Sequence, residues 1–309
     1  MFREEEKTKG YSLYKLECAG LPSNTYVFTS PYSREILYNP QIAGLKLQLA
    51  MEKVGQVFVE IASRKAFAGE SRGSVAELVL LAGGLYYGIG EGFRNVHNYA
   101  VPQCFLGIKR QKIEGSLGDF DAEVGYLNFE ALPKDPCVII GDTIATGTTL
   151  IEALNILEKR VEKEGSRLRK VVICSLAAAT VGARKLAEFE KRMKRKDPKF
   201  ELYLIVAEGL FHLMPDGTDM RFLREGSLLP DSTKEYTLEK YGPVLGEKMK
   251  CAVFDWGTRC KNPAEHAKEF MQFANEILEK GELDEKGIAE VKKMKKELEE
   301  ETGKIEKRF

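Results

Sequence analysis

The stretch that decides the fold runs from Cys137 to Leu150 and reads Cys-Val-Ile-Ile-Gly-Asp-Thr-Ile-Ala-Thr-Gly-Thr-Thr-Leu. It opens with a short β-branched run that Pro133 and Pro136 precede, which is typical of a strand buried on both faces. Leucines then recur at positions 150, 154 and 157, which is the spacing of one helix face. The pattern therefore predicts a strand, a tight polar loop and a helix in direct succession.

The loop between this strand and helix carries one acid and several hydroxyl groups. Asp142 follows the strand, at the end where open α/β sheets bind their ligands. Gly147 can take a positive φ, so the backbone can approach a ligand closely. The threonine hydroxyls and the free N–H groups at the helix start could converge on a phosphate. A ligand such as ribose 5-phosphate would fit this loop; the alternative is an ordinary strand-to-helix turn with a threonine N-cap.

Strand and helix patterns alternate from Leu78 to Val206, which predicts an α/β domain with a largely parallel sheet. Two further helices are predicted near the C-terminus, one beginning at Asn262 and Pro263 and one from about Asp284. We therefore expect an α/β domain over residues 1–225 and a mainly helical extension over residues 226–309. The extension would pack on the core or on another subunit, and we expect a homo-oligomer.

An earlier helix is predicted from about residue 42 to residue 61, where apolar residues recur at helical spacing. Pro40 marks its start. The stripe expected to face the core consists of Leu45, Leu49, Val54, Val57 and Ile61.

A glycine-rich segment follows the strand predicted over residues 77–82. Residues 83–92 contain five glycines, but the dinucleotide fingerprint is not met, because Phe93 occupies its third glycine position. No lysine follows the glycines as it would in a phosphate-binding P-loop. The backbone N–H groups of this segment could still bind a pyrophosphate. The alternative is a sharp turn at which a helix packs closely on the sheet.

The composition excludes several classes of protein. The 309 residues are 43% hydrophobic and 30% charged, which is typical of a globular protein, and the formal net charge is zero. Zero net charge argues against a general nucleic-acid or membrane-surface binder. The charged start and the absence of a long apolar run favour a cytoplasmic location. Six scattered cysteines form no CxxC pair, and the spacing of Cys251, Cys260 and His266 fits no common metal site.

The segment from Gly141 to Thr149 resembles the phosphoribosyl-pyrophosphate (PRPP) motif of type I phosphoribosyltransferases. Within that superfamily the chain looks most like uracil phosphoribosyltransferase. The resemblance covers roughly residues 30–225, and its motif is fairly specific. It implies a type I phosphoribosyltransferase-like sheet flanked by helices. It also implies transfer of ribose 5-phosphate from PRPP to uracil or a related nucleobase in nucleotide salvage, with Mg²⁺ as cofactor.

The resemblance also implies roles for individual residues. Asp142 would bind the ribose hydroxyls, and Lys109 and Arg110 would neutralise the pyrophosphate leaving group. The alternative for these two basic residues is a cationic strand end in solvent. Asp219 would lie near the base or the metal. Gly83 and Gly84 would line the pyrophosphate pocket. The 5-phosphate would be held by Ala145, Thr146, Gly147, Thr148 and Thr149.

The chain departs from the family pattern in three places. Gly141 stands where many members have the first of two adjacent acids, and Ala82 stands where the uracil enzymes have an arginine. The segment from Pro215 to Arg221 is shorter and poorer in glycine than the base-reading segment of those enzymes. These departures favour a rival hypothesis, a non-catalytic protein that binds PRPP or a nucleotide and signals through its C-terminal helices. A sugar-phosphate enzyme with a similar loop is a third hypothesis.

Overall fold

The computed structural model describes residues 1–112, 120–217, 219–251 and 256–305. The elements before the central motif are β1 (Phe2–Lys7), β2 (Ser12–Leu16), β3 (Asn24–Thr29), α1 (Pro31–Leu37), α2 (Gly44–Lys65), β4 (Val75–Leu81), α3 (Ile89–His97), β5 (Gln103–Lys112) and β6 (Phe120–Asn128). From the motif onward they are β7 (Cys137–Gly141), α4 (Thr148–Lys163), β8 (Lys170–Ser175), β9 (Ala178–Ala179), α5 (Thr180–Lys196), β10 (Glu201–Ala207), β11 (Leu210–Leu213), β12 (Met220–Arg221), α6 (Asp231–Lys248), α7 (Trp256–Lys261), α8 (Pro263–Glu279) and α9 (Glu285–Ile305).

Nine of these strands form one mixed sheet in the order β1-β2-β3-β10-β8-β7-β4-β5-β6. The six central strands of this order, β3, β10, β8, β7, β4 and β5, run parallel to one another. Antiparallel pairs close both edges, β1–β2–β3 on one side and β5–β6 on the other. The prediction of an α/β fold with a largely parallel sheet is confirmed. Because the central strands run in the same direction, their carboxyl ends, and the loops that follow them, meet at one edge of the sheet.

Helices cover both faces of this sheet. Side chains alternate along a strand, so Ile139 of β7 faces one buried cluster while Val138 and Ile140 face the other. The Ile139 face is covered by α2, α3 and later helices, and the opposite face by α4 and α5. Three cysteines lie on strands of this sheet and are buried: Cys104, Cys137 and Cys174.

The apolar stripe predicted for α2 is partly wrong. Leu45 and Leu49 are 70% and 51% exposed. The residues that α2 buries include Leu47, Met51, Val54, Phe58 and Ile61, together with Val57. Leu45 and Leu49 each lie two positions from a buried residue, which is about 200° of rotation around a helix of 3.6 residues per turn. They therefore face away from the sheet.

Within the described residues, four helices follow residue 225. The two predicted from the sequence are present as α8 and α9, and the Asn262 side chain caps α8 by accepting a hydrogen bond from the Glu265 N–H at 3.3 Å. Helix α6 was not predicted, because its sequence is interrupted by Gly242 and Pro243. The buried apolar residues of α8 and α9 belong to the same cluster as those of α2. The domain boundary at residue 225 stays a prediction. Among the described residues, no helix is both long and apolar enough to cross a bilayer.

Candidate functional site

The loop from Asp142 to Gly147 lies at the carboxyl edge of the sheet, between β7 and α4. Gly147 is the N-cap of α4 and has φ 77°, as the sequence predicted. This position also lies against the first turn of α5, since a Cβ on Gly147 would be 3.1 Å from the Gly182 Cα. A residue with a side chain would thus meet both backbone strain and a steric clash at this position.

Backbone hydrogen bonds fix the loop to the chain that follows β8. The Asp142 N–H donates to the Cys174 carbonyl at 3.0 Å, and the Ile144 N–H donates to the Ala177 carbonyl at 3.0 Å. The Ala179 N–H returns a bond of 2.7 Å to the Ile144 carbonyl. The first half of the loop, from Asp142 to Ile144, is therefore held against the end of β8 and the segment that follows it.

Hydroxyl groups cluster at the end of the loop where α4 begins. The Thr146 and Thr148 hydroxyls share a hydrogen bond of 3.1 Å, and the Thr148 N–H donates to the Thr146 hydroxyl at 3.4 Å. Thr148 and Thr149 are the first two residues of α4, whose first-turn N–H groups have no acceptor within the helix. Ala145 lies beside them and is partly exposed. All five residues predicted to hold the phosphate therefore lie together, where the helix dipole favours an anion.

Asp142 is partly exposed at the start of the loop, and its carboxylate accepts a hydrogen bond from the Thr143 N–H at 2.9 Å. Next to it lies Tyr87, a fully buried residue that the sequence analysis did not identify. The Tyr87 hydroxyl forms a 3.0 Å hydrogen bond with the Thr143 hydroxyl and accepts one from the Leu176 N–H at 3.4 Å. Burial, together with the charge of Asp142, raises the pKa of Tyr87, so this side chain remains a neutral phenol.

The Tyr87 ring also explains why position 141 is a glycine. A Cβ on Gly141 would lie 2.5 Å from the Tyr87 Cβ and 2.6 Å from its Cγ. No carboxylate can occupy position 141 while the ring is in place. The space beside Gly141 is thus filled by an aromatic ring that comes from a neighbouring loop.

The glycine-rich segment after β4 contacts the end of β7. Gly83 and Gly84 lie in a 3-10 turn, Gly83–Tyr86, and a Cβ on Gly84 would be 3.2 Å from the Gly141 carbonyl oxygen. A Cβ on Gly83 would meet no atom within 4 Å. The close-packing alternative therefore accounts for Gly84. At Gly83 the space is open, in the turn that follows β4, and β4 is the neighbour of β7 in the sheet.

Lys109 and Arg110 lie on the next strand of the sheet, β5. Residue Leu81 at the end of β4 pairs with Gly107, so both basic residues come after this point, towards the same edge. Their backbone pairs with Glu123 and Ala122 of β6. Their side chains lie outside the described part of the structure.

Asp219 lies just before β12, in the small sheet β12-β11-β9 that extends over the carboxyl edge. It is 6% exposed and forms ion pairs with Arg221 at 2.5 Å and with Lys250 at 3.9 Å. Burial raises the pKa of Asp219, and the charges of Arg221 and Lys250 oppose this shift. The small sheet reaches the candidate site through a bridge between Ala178 and Ile144.

A buried acid that the sequence did not reveal holds the neighbouring part of this edge together. Glu208 follows β10 and accepts hydrogen bonds from the Ser33 hydroxyl at 2.8 Å and the Thr233 hydroxyl at 2.9 Å. It also forms an ion pair of 3.1 Å with Arg34. Burial raises the pKa of Glu208, and the Arg34 charge opposes the shift. Glu208 thereby ties α1 and α6 to the end of β10, which is a structural role.

A comparison with protein-family models gives no match, and no curated protein matches the chain. Among solved structures, the chain is similar to adenine phosphoribosyltransferase from Trypanosoma brucei in complex with AMP, pyrophosphate and ribose-5-phosphate. The two chains are 14% identical with a TM-score of 0.38, over 69% of this chain and 96% of that one. A similarity of this size assigns no function, so the functional inference rests on the chemistry of the site.

Proposed function

We propose that this protein transfers ribose 5-phosphate from PRPP to a nucleobase, uracil or a related base, and releases pyrophosphate. The observation that carries the proposal is the loop between β7 and α4. It combines one carboxylate, Asp142, with threonine hydroxyls and free helix N–H groups at the carboxyl edge of a parallel sheet. This arrangement complements a ligand with a phosphate at one end and sugar hydroxyls beside it.

The neighbouring loops match the rest of PRPP. With the phosphate on Thr146 to Thr149 and the ribose hydroxyls on Asp142, the pyrophosphate would extend towards β4 and β5. The open backbone at Gly83 lies there, and Lys109 and Arg110 follow on the adjacent strand. Asp219 is our candidate for a contact near the base.

The reaction breaks the bond between ribose C1 and a pyrophosphate oxygen and forms a bond from C1 to a base nitrogen, which gives up its proton. Positive charge develops on the ribose ring and negative charge on the leaving group. Asp142 would orient the ring and stabilise its charge, while Lys109 and Arg110 would stabilise the pyrophosphate. The loop would fix the phosphate end throughout.

A Mg²⁺ ion fits this site as a companion of the substrate. The described residues contain no group of three or more His, Cys, Asp or Glu side chains that could hold a metal ion. Magnesium commonly binds through one or two carboxylates plus substrate phosphates and water, and Asp142 is the carboxylate within the site. Bound to the pyrophosphate, Mg²⁺ would neutralise charge on the leaving group.

Two observations favour a second candidate, a non-catalytic PRPP or nucleotide sensor. Tyr87 fills the space of the first acid, and Ala82 is exposed where the uracil enzymes have an arginine. Both changes remove charged groups from the site without removing the phosphate loop. A protein altered in this way could keep its affinity for the ligand and lose turnover.

Pyrophosphate release from Mg–PRPP tests the proposal, with uracil, other pyrimidines and purines, orotate and no base in parallel. Release that depends on one base would establish the transferase and its acceptor. Binding of PRPP without release in any well would favour the sensor. Asp142→Asn should abolish binding under either function, while Glu269→Gln, at an exposed position on α8, serves as the matched control. Unchanged binding by the Asp142 variant would refute the assignment of the site.

A further inference from the structure

The first turn of α5 is pressed against the phosphate loop. A Cβ on Gly182 would lie 2.6 Å from the Ala145 carbonyl oxygen and 3.2 Å from the Gly147 nitrogen. Only a glycine allows this approach. Residue 185 is three positions further along and therefore projects from the same side of the helix, towards the loop.

Lys185 occupies that position, and its ammonium group reaches the hydroxyl cluster. Its Nζ donates to the Thr148 hydroxyl at 3.4 Å, and that hydroxyl is bonded to Thr146. A long cationic side chain thus contacts Thr148, and through it the hydroxyl pair at the N-terminus of α4. The convergence of a cation, two hydroxyls and a helix N-terminus at one point is suited to a highly charged anion.

In the part of the chain that the structure describes, no carboxylate forms an ion pair with Lys185. Further along α5, Arg192 and Lys196 pair with Glu158, and Lys194 pairs with Glu190. Lys185 is partly buried, yet within the described residues it has no ion-pair partner and donates only to a neutral hydroxyl. A partly buried cation without a counter-ion is costly, and a bound anion would remove that cost.

We propose that Lys185 makes this site selective for a sugar bearing a phosphate dianion over the unphosphorylated sugar. The proposal rests on the proposed function, because it assigns the ligand's phosphate to this loop. Lys185 acts as a specificity-determining residue. The 5-phosphate keeps its charge throughout the reaction, so the lysine stabilises the bound substrate and the transition state equally.

Two consequences distinguish this role from a structural one. Lys185→Met keeps most of the side-chain stem but removes the charge, so the Kd and KM for PRPP should rise about tenfold or more while kcat is unchanged. A phosphate monoester gains its second charge near pH 6. Wild-type affinity for ribose 5-phosphate should therefore fall below pH 6, and Lys185→Met should show a weaker dependence.

The experiment is a calorimetric titration of the full chain with ribose 5-phosphate, ribose and Mg–PRPP between pH 5 and pH 8. The wild type, Lys185→Met, Lys185→Arg and Lys191→Met are compared, and thermal unfolding confirms that each variant folds. Lys191 is an exposed lysine of the same helix and serves as the control. We expect Lys185→Met alone to lose affinity and the arginine variant to retain most of it.

The outcomes separate this inference from the proposed function. If the wild type binds ribose 5-phosphate and Lys185→Met binds it equally well with the same pH dependence, the role of Lys185 is wrong and the site assignment stands. If the wild type binds neither phosphorylated ligand, both are wrong. If the wild type binds PRPP but releases no pyrophosphate, the proposed transferase activity is wrong. The effect of Lys185 on ligand affinity can still be measured in that case.

Discussion

The buried carboxyl of Glu77 should make the folded protein less stable as pH rises. Replacing Glu77 with glutamine should abolish this contribution. Glu77 lies on β4 in the interior of the sheet, is 3% exposed and accepts a hydrogen bond from the Gln103 side chain at 2.9 Å. Burial raises its pKa to about 7, which the hydrogen bond from Gln103 only partly opposes. The folded protein therefore favours the protonated carboxyl, whereas the unfolded chain ionises it near pH 4.5.

The sign and size of the effect follow from these two pKa values. Below pH 4.5 the carboxyl is protonated in both states, so the favourable contribution is fully present. Between pH 4.5 and pH 7 the unfolded chain releases a proton that the folded protein keeps, and stability is lost. At pH 8 the accumulated loss amounts to about 3 kcal/mol at about 1.4 kcal/mol per pKa unit, a large part of a typical unfolding free energy.

Urea unfolding followed by circular dichroism at pH 5, 6, 7 and 8 measures this effect. The difference in unfolding free energy between Glu77→Gln and the wild type should grow with pH, because the amide has no charge to bury. Taking the difference cancels the titration of other groups. Glu188→Gln, on the exposed surface of α5, is the control and should run parallel to the wild type. Parallel curves for Glu77→Gln and the wild type would refute the assignment of a raised pKa.

Three further predictions concern close contacts. Gly141→Ala should destabilise the protein by about 1–3 kcal/mol, since its Cβ would meet the Tyr87 ring; an unchanged thermal midpoint would contradict this. Tyr87→Phe should lower the unfolding free energy by about 1–3 kcal/mol, because the buried Leu176 N–H loses its acceptor. It should also weaken PRPP binding. Urea unfolding and calorimetry measure the two effects, and wild-type values in both would contradict the prediction. His266 is buried with its Nε2 bonded to the Pro40 carbonyl, and burial lowers its pKa to about 3. The contribution of His266 to wild-type stability should therefore fall by about 2 kcal/mol as pH drops from 7 to 5. In urea unfolding, the free energy of His266→Gln relative to the wild type should rise by this amount over that range, and a constant difference would contradict the lowered pKa.

The strand–loop–helix unit was predictable from sequence because its signals are local. A β-branched run, a glycine at the N-cap position and leucines at helical spacing each act within a few residues. The structure places β7, the Asp142 loop and α4 as those signals indicate. The edge strand β1 has no such signal: its sequence from Phe2 to Lys7 is mostly charged, as suits a sheet edge that must not pair with another chain.

The remaining parts of the site depend on contacts between segments far apart in the sequence. Lys185 reaches Thr148 only because Gly182 lets α5 approach the loop. Glu208 receives its partners from α1 and α6, which lie on either side of it in sequence, and each of those polar residues read separately is an ordinary surface residue. No periodicity or motif encodes these pairings, since they depend on the order of strands in the sheet.

The residues at positions 141 and 87 depend on each other, although they lie far apart in the sequence. Strands β4 and β7 are neighbours, so the turn after β4 delivers Tyr87 to the end of β7. The space beyond Gly141 can hold an acidic side chain from β7 or this aromatic ring, but not both. The ring compensates in part, since its hydroxyl bonds Thr143 directly beside Asp142 and so braces the carboxylate that remains. If the proposed function is right, this packing leaves Asp142 to contact the ribose hydroxyls without a second acid at position 141.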